Sequence, residues 1–280
     1  MGDSLTLESL PKIVAYMATL SYVGAVMAAA LARSSSGAVL LPRAARVARV
    51  AAAAALVAVA ARAWVHASIV ADGWPDRETL TRVVLESRWG GRWQWQLAAT
   101  VAALAVASLG AVARGVWIGP ALVAVAWSLA TPLLGHGAVT TWQQITHAAH
   151  VLVTGAWLGT VAVLALSTHG PGADLAAVGR VVARFSPIAL TCAALAGVSG
   201  GVLAVTYVGT LADLIGSPYG RWLLLKLAAV AAVGGCGLVN WRRSRADIAP
   251  SPAWLRAEAV AAVLAAVVTA ILTETEHPAL

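Results

Sequence analysis

The sequence predicts an all-α integral membrane protein, a bundle of about eight transmembrane helices forming one polytopic domain over 1–280. Three observations carry this. Hydrophobic residues make up 60% of the chain and charged residues only 11%, with a mean hydropathy of +0.81, more apolar surface than one water-soluble core of this length can hide. Apolar runs recur at the length needed to cross a hydrocarbon core, roughly 20 helical residues for about 30 Å. Finally, 12 Trp stand beside a single Phe, and indole rings collect where headgroups meet hydrocarbon.

Eight runs bounded by charge, Gly or Pro qualify: 12–32, 44–67, 93–113, 116–134, 141–167, 180–209, 219–241 and 254–273. The first follows Asp3 and Glu8 with only Lys12 before it, unlike the positive leader of a signal peptide, so it is expected to remain as a helix. The third and fourth are separated only by Arg114 and Gly115 and read as a tight hairpin. Between the second and third lies the one long connection, 68–92. Within it Leu80, Val83 and Val84 fall at helical spacing among charges, which predicts a short interfacial helix. Trp74, Trp89, Trp93 and Trp95 surround it and read as an interfacial belt.

Positive charge near helix ends is retained in the cytoplasm, and here it alternates. Arg33, Arg43, Arg46 and Arg49 flank the first connection, Arg114 the third, Arg180 and Arg184 the fifth, and Arg242, Arg243, Arg245 and Arg256 the seventh. Both termini are therefore expected on the non-cytoplasmic side of an inner membrane. The net charge of +7 is spread over these short clusters, which argues against a nucleic-acid surface and for a lipid partner. Cys192 and Cys236 both lie in apolar runs, so there is no CxxC motif or soluble disulfide framework.

With this topology five of six histidines fall on the outer side: His66, His136, His147, His150 and His277; His169 alone lies inside. His147 and His150 are the sharpest pair, because a spacing of three residues puts both imidazoles on one helix face, about 5 to 6 Å apart at Cβ. Such a pair can chelate one ion, and neutral imidazole suits copper, zinc or haem iron. The alternative is two interfacial histidines bonded to water and backbone. His136 alone reads as a solvated turn residue, and His66 as a snorkelling group at a helix end. Thr154 and Trp157 continue the histidine stripe as an inward edge. Gly155 with Gly159, and Gly197 with Gly201, form small-xxx-small pairs that predict close helix packing. Soft groups for a transmembrane copper route are few: Met17, Met27 and Cys192, with Cys236 further along. Lys226 and Glu258 are the intramembrane charges of interest, and for Glu258 a salt bridge to Arg256 competes with proton handling.

From 143 to 280 the order of residues becomes recognisable. Arg184-Phe185-Ser186-Pro187 opens a helix, followed by Gly200, Ser217-Pro218-Tyr219-Gly220-Arg221, Leu225-Lys226-Leu227, Asn240 with Arg242, and Glu258 on the last helix. This order resembles the copper resistance protein D family of inner-membrane proteins with about eight helices; His66 and the helix count extend the likeness to the first half. The resemblance implies copper handling, in resistance or uptake, often beside a periplasmic copper-binding protein. It also implies copper ligands at His147 and His150 and at His277-Pro278. The chain has no fused soluble copper-binding domain and no methionine-rich outer loop, so capture is left to outward histidines or a separate partner.

Three functions follow as expectations. The first is a non-enzymatic permease that receives copper outside through His147, His150, His66, His136 and His277 and passes it inward. The second is a b-type haem protein, an oxidoreductase passing electrons from quinol, with axial ligands drawn from His66, His147 and His150. The third is a structural subunit of a larger membrane complex, binding neither metal nor haem.

Overall fold

A computed structural model describes residues 3–114, 116–134, 140–170, 172–246, 248–273, 275, 276 and 278, with side chains from Ser9 onward. The described residues are helices joined by short turns. Each of the eight apolar runs contains a helix, the third ending early at 108 and the fourth starting late at 118: α1 (Asp3–Ser34), α2 (Leu41–Ala71), α4 (Arg88–Ser108), α5 (Ile118–Ala130, prolonged by a 3₁₀ turn Thr131–Leu134), α6 (Thr141–Thr154) continued into α7 (Thr160–Ser167), α8 (Leu175–Val208), α10 (Pro218–Arg245) and α11 (Pro252–Leu272). Two short helices, α3 (Arg77–Thr81) and α9 (Leu211–Gly216), lie in connections.

Six of these rods are long and apolar enough to cross a bilayer: Ser9–Ser34, Ala38–Ala71, Thr141–Ser167, Leu175–Val208, Pro218–Arg245 and Pro252–Leu272. The other two fall short for different reasons. α4 starts with Arg88, Arg92, Gln94 and Gln96, which lowers its hydropathy, and Ile118–Leu134 is too short.

Helix starts are set by local capping, which explains why several lie outside the apolar runs. Ser87 accepts the Gly90 N–H at 2.8 Å and starts α4 ahead of the run at 93. Asp174 accepts the Ala177 N–H at 2.9 Å and starts α8 ahead of 180. Thr140 and Gln143 form a capping box on α6. Ser217 accepts the Gly220 N–H at 2.9 Å, with Pro218 at the first helical position, where its missing N–H costs nothing. A Cβ at Gly220 would overlap the Leu214 carbonyl. The Ser-Pro-Tyr-Gly run is thus a helix start wedged against α9.

α1 is the central helix, packed against α2, α5, α7, α8 and α11. α2 meets it through an alanine face, Ala44, Ala48, Ala52 and Ala55, all essentially sealed from solvent, and such small residues let two backbones approach closely. α6 and α7 are one rod interrupted by a π turn at Gly155–Gly159. There the rod lies directly on α1: a Cβ at Gly159 would overlap the Leu20 carbonyl, and one at Gly155 would come within 2.8 Å of Val23. This glycine pair packs as its spacing predicts. Gly197 and Gly201 do not, because nothing lies within 4 Å of either virtual Cβ; they face outward, and the close contact in this stretch of α8 belongs to Gly200.

Arginines gather at one end of the bundle and close it. Arg43 donates to the Ser167 carbonyl (3.2 Å), the His169 carbonyl (2.9 Å) and the Gly172 carbonyl (3.4 Å). Arg33 reaches the Arg114 carbonyl at 3.0 Å, and Arg180 the Ser36 carbonyl at 3.2 Å. The clusters read as orientation signals therefore also satisfy carbonyls at helix ends and turns.

At the other end, 77–86 folds as α3 followed by a π turn at Arg82–Glu86. Asp76 caps α3 by accepting the Thr79 N–H at 2.7 Å, and that backbone bond, with the Thr79 side chain, holds its carboxyl below the usual range. Val83 is buried, with Leu80 and Val84 half-buried, so the predicted apolar face packs on protein. The tryptophans divide. Trp74 and Trp95 are exposed, as a belt requires. Trp93 is buried and donates its indole N–H to the Val59 carbonyl at 2.8 Å, and Trp89 stacks on His66 with ring centroids 4.1 Å apart.

Candidate functional site

His147 and His150 stand one turn apart on α6, at the end of the bundle opposite the arginine cluster. Each ring meets a hydroxyl from α8. His147 Nε2 lies 3.0 Å from the Tyr207 hydroxyl, and His150 Nδ1 lies 3.0 Å from Ser199 Oγ. Gly200 makes room for the second ring, since a Cβ there would come within 3.2 Å of His150 Cε1. Tyr207 in turn packs near Tyr219, with centroids 6.4 Å apart.

Both histidines border a cavity of ≈ 120 Å³ between α1, α2, α6, α8, α10 and α11. Lys12, Arg62 and Lys226 line it with Tyr16, Tyr207 and Tyr219, and its described walls include no carboxylate. Arg62 is held by Gln96 Oε1 (3.4 Å) and the Leu134 carbonyl (3.3 Å). Chemically, this is a pair of imidazoles beside ammonium and guanidinium groups. Neutral imidazoles can ligate a metal cation, while neighbouring positive charge repels a divalent ion twice as strongly as a monovalent one.

A second cavity, of ≈ 380 Å³, lies further along the same rod between α7, α8, α10 and α11. Trp157, Phe185 and Trp241 give it apolar walls, and Glu258 with Asn240 gives it a polar corner. Asn240 Nδ2 donates to Glu258 Oε2 at 3.2 Å, and both residues are buried, at 4% exposure for Glu258 and 3% for Asn240. Asn240 Oδ1 has no hydrogen-bond partner. The competition posed for Glu258 resolves against a salt bridge: Arg256 points outward and bonds the Pro252 carbonyl at 3.2 Å.

The remaining sequence candidates are dispersed. His66, stacked on Trp89, does not line the histidine cavity, although Arg62 one turn earlier does. His136 and His277 lie outside the described residues. Met17 is half-buried on α1; Met27 and Cys192 belong to the hydrophobic core, and none of the three lines either cavity. Thr154 and Trp157 do continue the histidine stripe inward: Thr154 Oγ1 is buried without a partner, and Trp157 reaches the second cavity. Among the described residues no three His, Cys, Asp or Glu side chains gather as a metal cluster.

This arrangement gives the haem reading no support. His66 stacks on Trp89 and does not line the cavity that His147 and His150 border, and the ≈ 120 Å³ of that cavity is well below the roughly 300–1,000 Å³ of ordinary small-molecule sites.

Several site residues escaped the sequence reading. Arg62 carried a usable signal, being an arginine inside an apolar run. Ser199 and Tyr207 carried none, because hydroxyls at helix faces are common and only the fold brings them to the imidazoles, and Tyr219 was visible only as part of the Ser-Pro-Tyr-Gly run.

Two family profiles match the chain: the N-terminal domain of copper resistance protein D-like proteins over 7–145, and copper resistance protein D over 179–273. The first extends the likeness through α1 to α5; His147 and His150 fall in the interval between the two. Neither a curated protein nor a solved structure matches the chain. With both halves matched and a helical bundle carrying several bilayer-length apolar rods, the chain belongs to the copper resistance protein D family and is a multi-pass membrane protein.

Proposed function

We propose that the protein receives copper from the periplasmic side of the inner membrane at His147 and His150 and moves it inward. The observation that carries this reading is the pair of imidazoles one turn apart on the wall of a polar cavity, in a chain whose family is named for copper resistance. The alternating arginines support placing the histidine end outside, with eight membrane crossings and both termini outward. His66, His136 and His277 are assigned as further capture ligands at that face, and a periplasmic copper-binding protein as the donor. Along the route Glu258 and Asn240 supply the polar group of the inner cavity, while Met17, Met27 and Cys192 are the soft groups nearest a path through the core. The π turn at Gly155–Gly159 lies between the two cavities, and π turns inside helices often mark functional positions.

Transport is tested by copper accumulation. Copper-depleted cells producing the wild-type chain are expected to accumulate copper several-fold faster than cells producing equal amounts of the His147→Ala/His150→Ala variant. Equal rates would remove the transport half of the proposal while leaving binding to be tested separately.

A further inference from the structure

The hydrogen bonds around His150 choose between its two neutral tautomers. Ser199 Oγ lies 2.7 Å from the Leu195 carbonyl, one turn back on α8, and 3.3 Å from the Ala196 carbonyl. A hydroxyl has one proton to give, and both backbone neighbours are acceptors only, so the Ser199 proton is committed to its own helix. What Ser199 offers His150 is a lone pair. The ring must therefore donate across the 3.0 Å contact, which places the imidazole proton on Nδ1. The lone pair then resides on Nε2. The Ala196 carbonyl, an acceptor only, also bonds the ring, and Nε2 is not among the buried polar atoms left sealed without a partner.

His147 has no such constraint. Its partner, Tyr207, bears a phenolic hydroxyl that can donate or accept, and that contact occupies Nε2.

We infer that Ser199 is a positioning residue that fixes His150 with Nδ1 protonated and Nε2 open, making His150 Nε2 a preset metal-ligating atom of the cavity. The purpose of this device rests on the copper reading; the tautomer itself does not. Metal-bound histidines commonly donate their other ring N–H to an acceptor, which sets ring orientation and raises ligand basicity, and removing that acceptor costs about 10- to 100-fold in affinity. Gly200 completes the seat by leaving the ring edge clear. His150 is thus set for metal before metal arrives, whereas the tautomer of His147 is left open by a Tyr207 hydroxyl that can donate or accept.

The test uses the full chain in lipid, with ¹⁵N-labelled histidine and no copper, comparing wild type, Ser199→Ala and Ser199→Thr by solid-state NMR. His150, identified by its absence from the His150→Ala spectrum, is expected as the Nδ1–H tautomer in wild type and in Ser199→Thr, which keeps a hydroxyl. In Ser199→Ala that signal is expected to divide between tautomers, with Cu(I) affinity falling about 10-fold or more and recovering in Ser199→Thr. An Nε2–H tautomer in the wild type would overturn the inference. So would unchanged copper affinity in a folded Ser199→Ala protein. If the wild type shows the Nδ1–H tautomer yet binds no Cu(I), the copper reading fails and the tautomer assignment stands.

Discussion

Gly159→Val is expected to destabilise the folded bundle strongly. Helix α1 and the rod formed by α6 and α7 touch backbone to backbone at the π turn: a Cβ at Gly159 would overlap the Leu20 carbonyl, and one at Gly24 would overlap the Gly159 carbonyl carbon. Thr160 Oγ1 adds a contact to the Gly24 carbonyl at 3.3 Å. Overpacking a fitted core usually costs about 1–3 kcal/mol, more when nothing nearby can yield. Here the obstructing atoms are helix backbone, so α1 itself would have to shift, and α1 packs against most of the bundle. The effect is expected at or above the top of that range, read as a large fall in thermal-aggregation temperature in detergent. Gly197→Ala is the control, since its virtual Cβ meets nothing within 4 Å and an exposed substitution of this kind stays within about 0.5 kcal/mol. Comparable stability of Gly159→Val and wild type would contradict the interhelical contact.

The second large effect is on the metal. Replacing both His147 and His150 with alanine is expected to weaken Cu(I) binding by more than about 100-fold, because loss of an outer hydrogen-bond partner alone typically costs 10- to 100-fold and this change deletes the ligands themselves. The fold is expected to survive, since both rings are only half-buried beside a cavity and neither belongs to the main hydrophobic core. Competition titration with a Cu(I) chelator measures the change, with thermal stability followed in parallel. A folded double variant that keeps wild-type affinity would show that copper binds elsewhere.

The helices were legible because six of the apolar runs are bilayer-length and the other two still stand out from their flanks, and the family was legible from the spacing of Ser217-Pro218-Tyr219-Gly220-Arg221, Asn240 and Glu258. Helix ends were read less well. Ser87 and Asp174 start α4 and α8 well before the apolar runs begin, because a capped turn needs no hydrophobicity. Small-residue pairs illustrate a different limit. Gly155 with Gly159 and Gly197 with Gly201 have the same spacing, yet one pair seals two helices together and the other faces outward; the pattern states that close approach is allowed, and only the neighbouring helix decides whether it occurs. At the site, the i, i+3 spacing of His147 and His150 was visible. Their partners on α8 were not, because Ser199 and Tyr207 lie some fifty and sixty residues away in sequence. Glu258 was visible as an intramembrane charge, and the salt bridge weighed for it does not form: two residues along a helix turns Arg256 to the opposite side, leaving Asn240 of α10 to meet the carboxyl.

A bundle that holds copper at its histidine end, as proposed, carries that metal through purification. The most direct measurement is elemental analysis of the full chain purified from copper-supplemented cells, counting copper and iron per chain. Near-stoichiometric copper with negligible iron is the predicted result; stoichiometric iron, or neither metal, would contradict it.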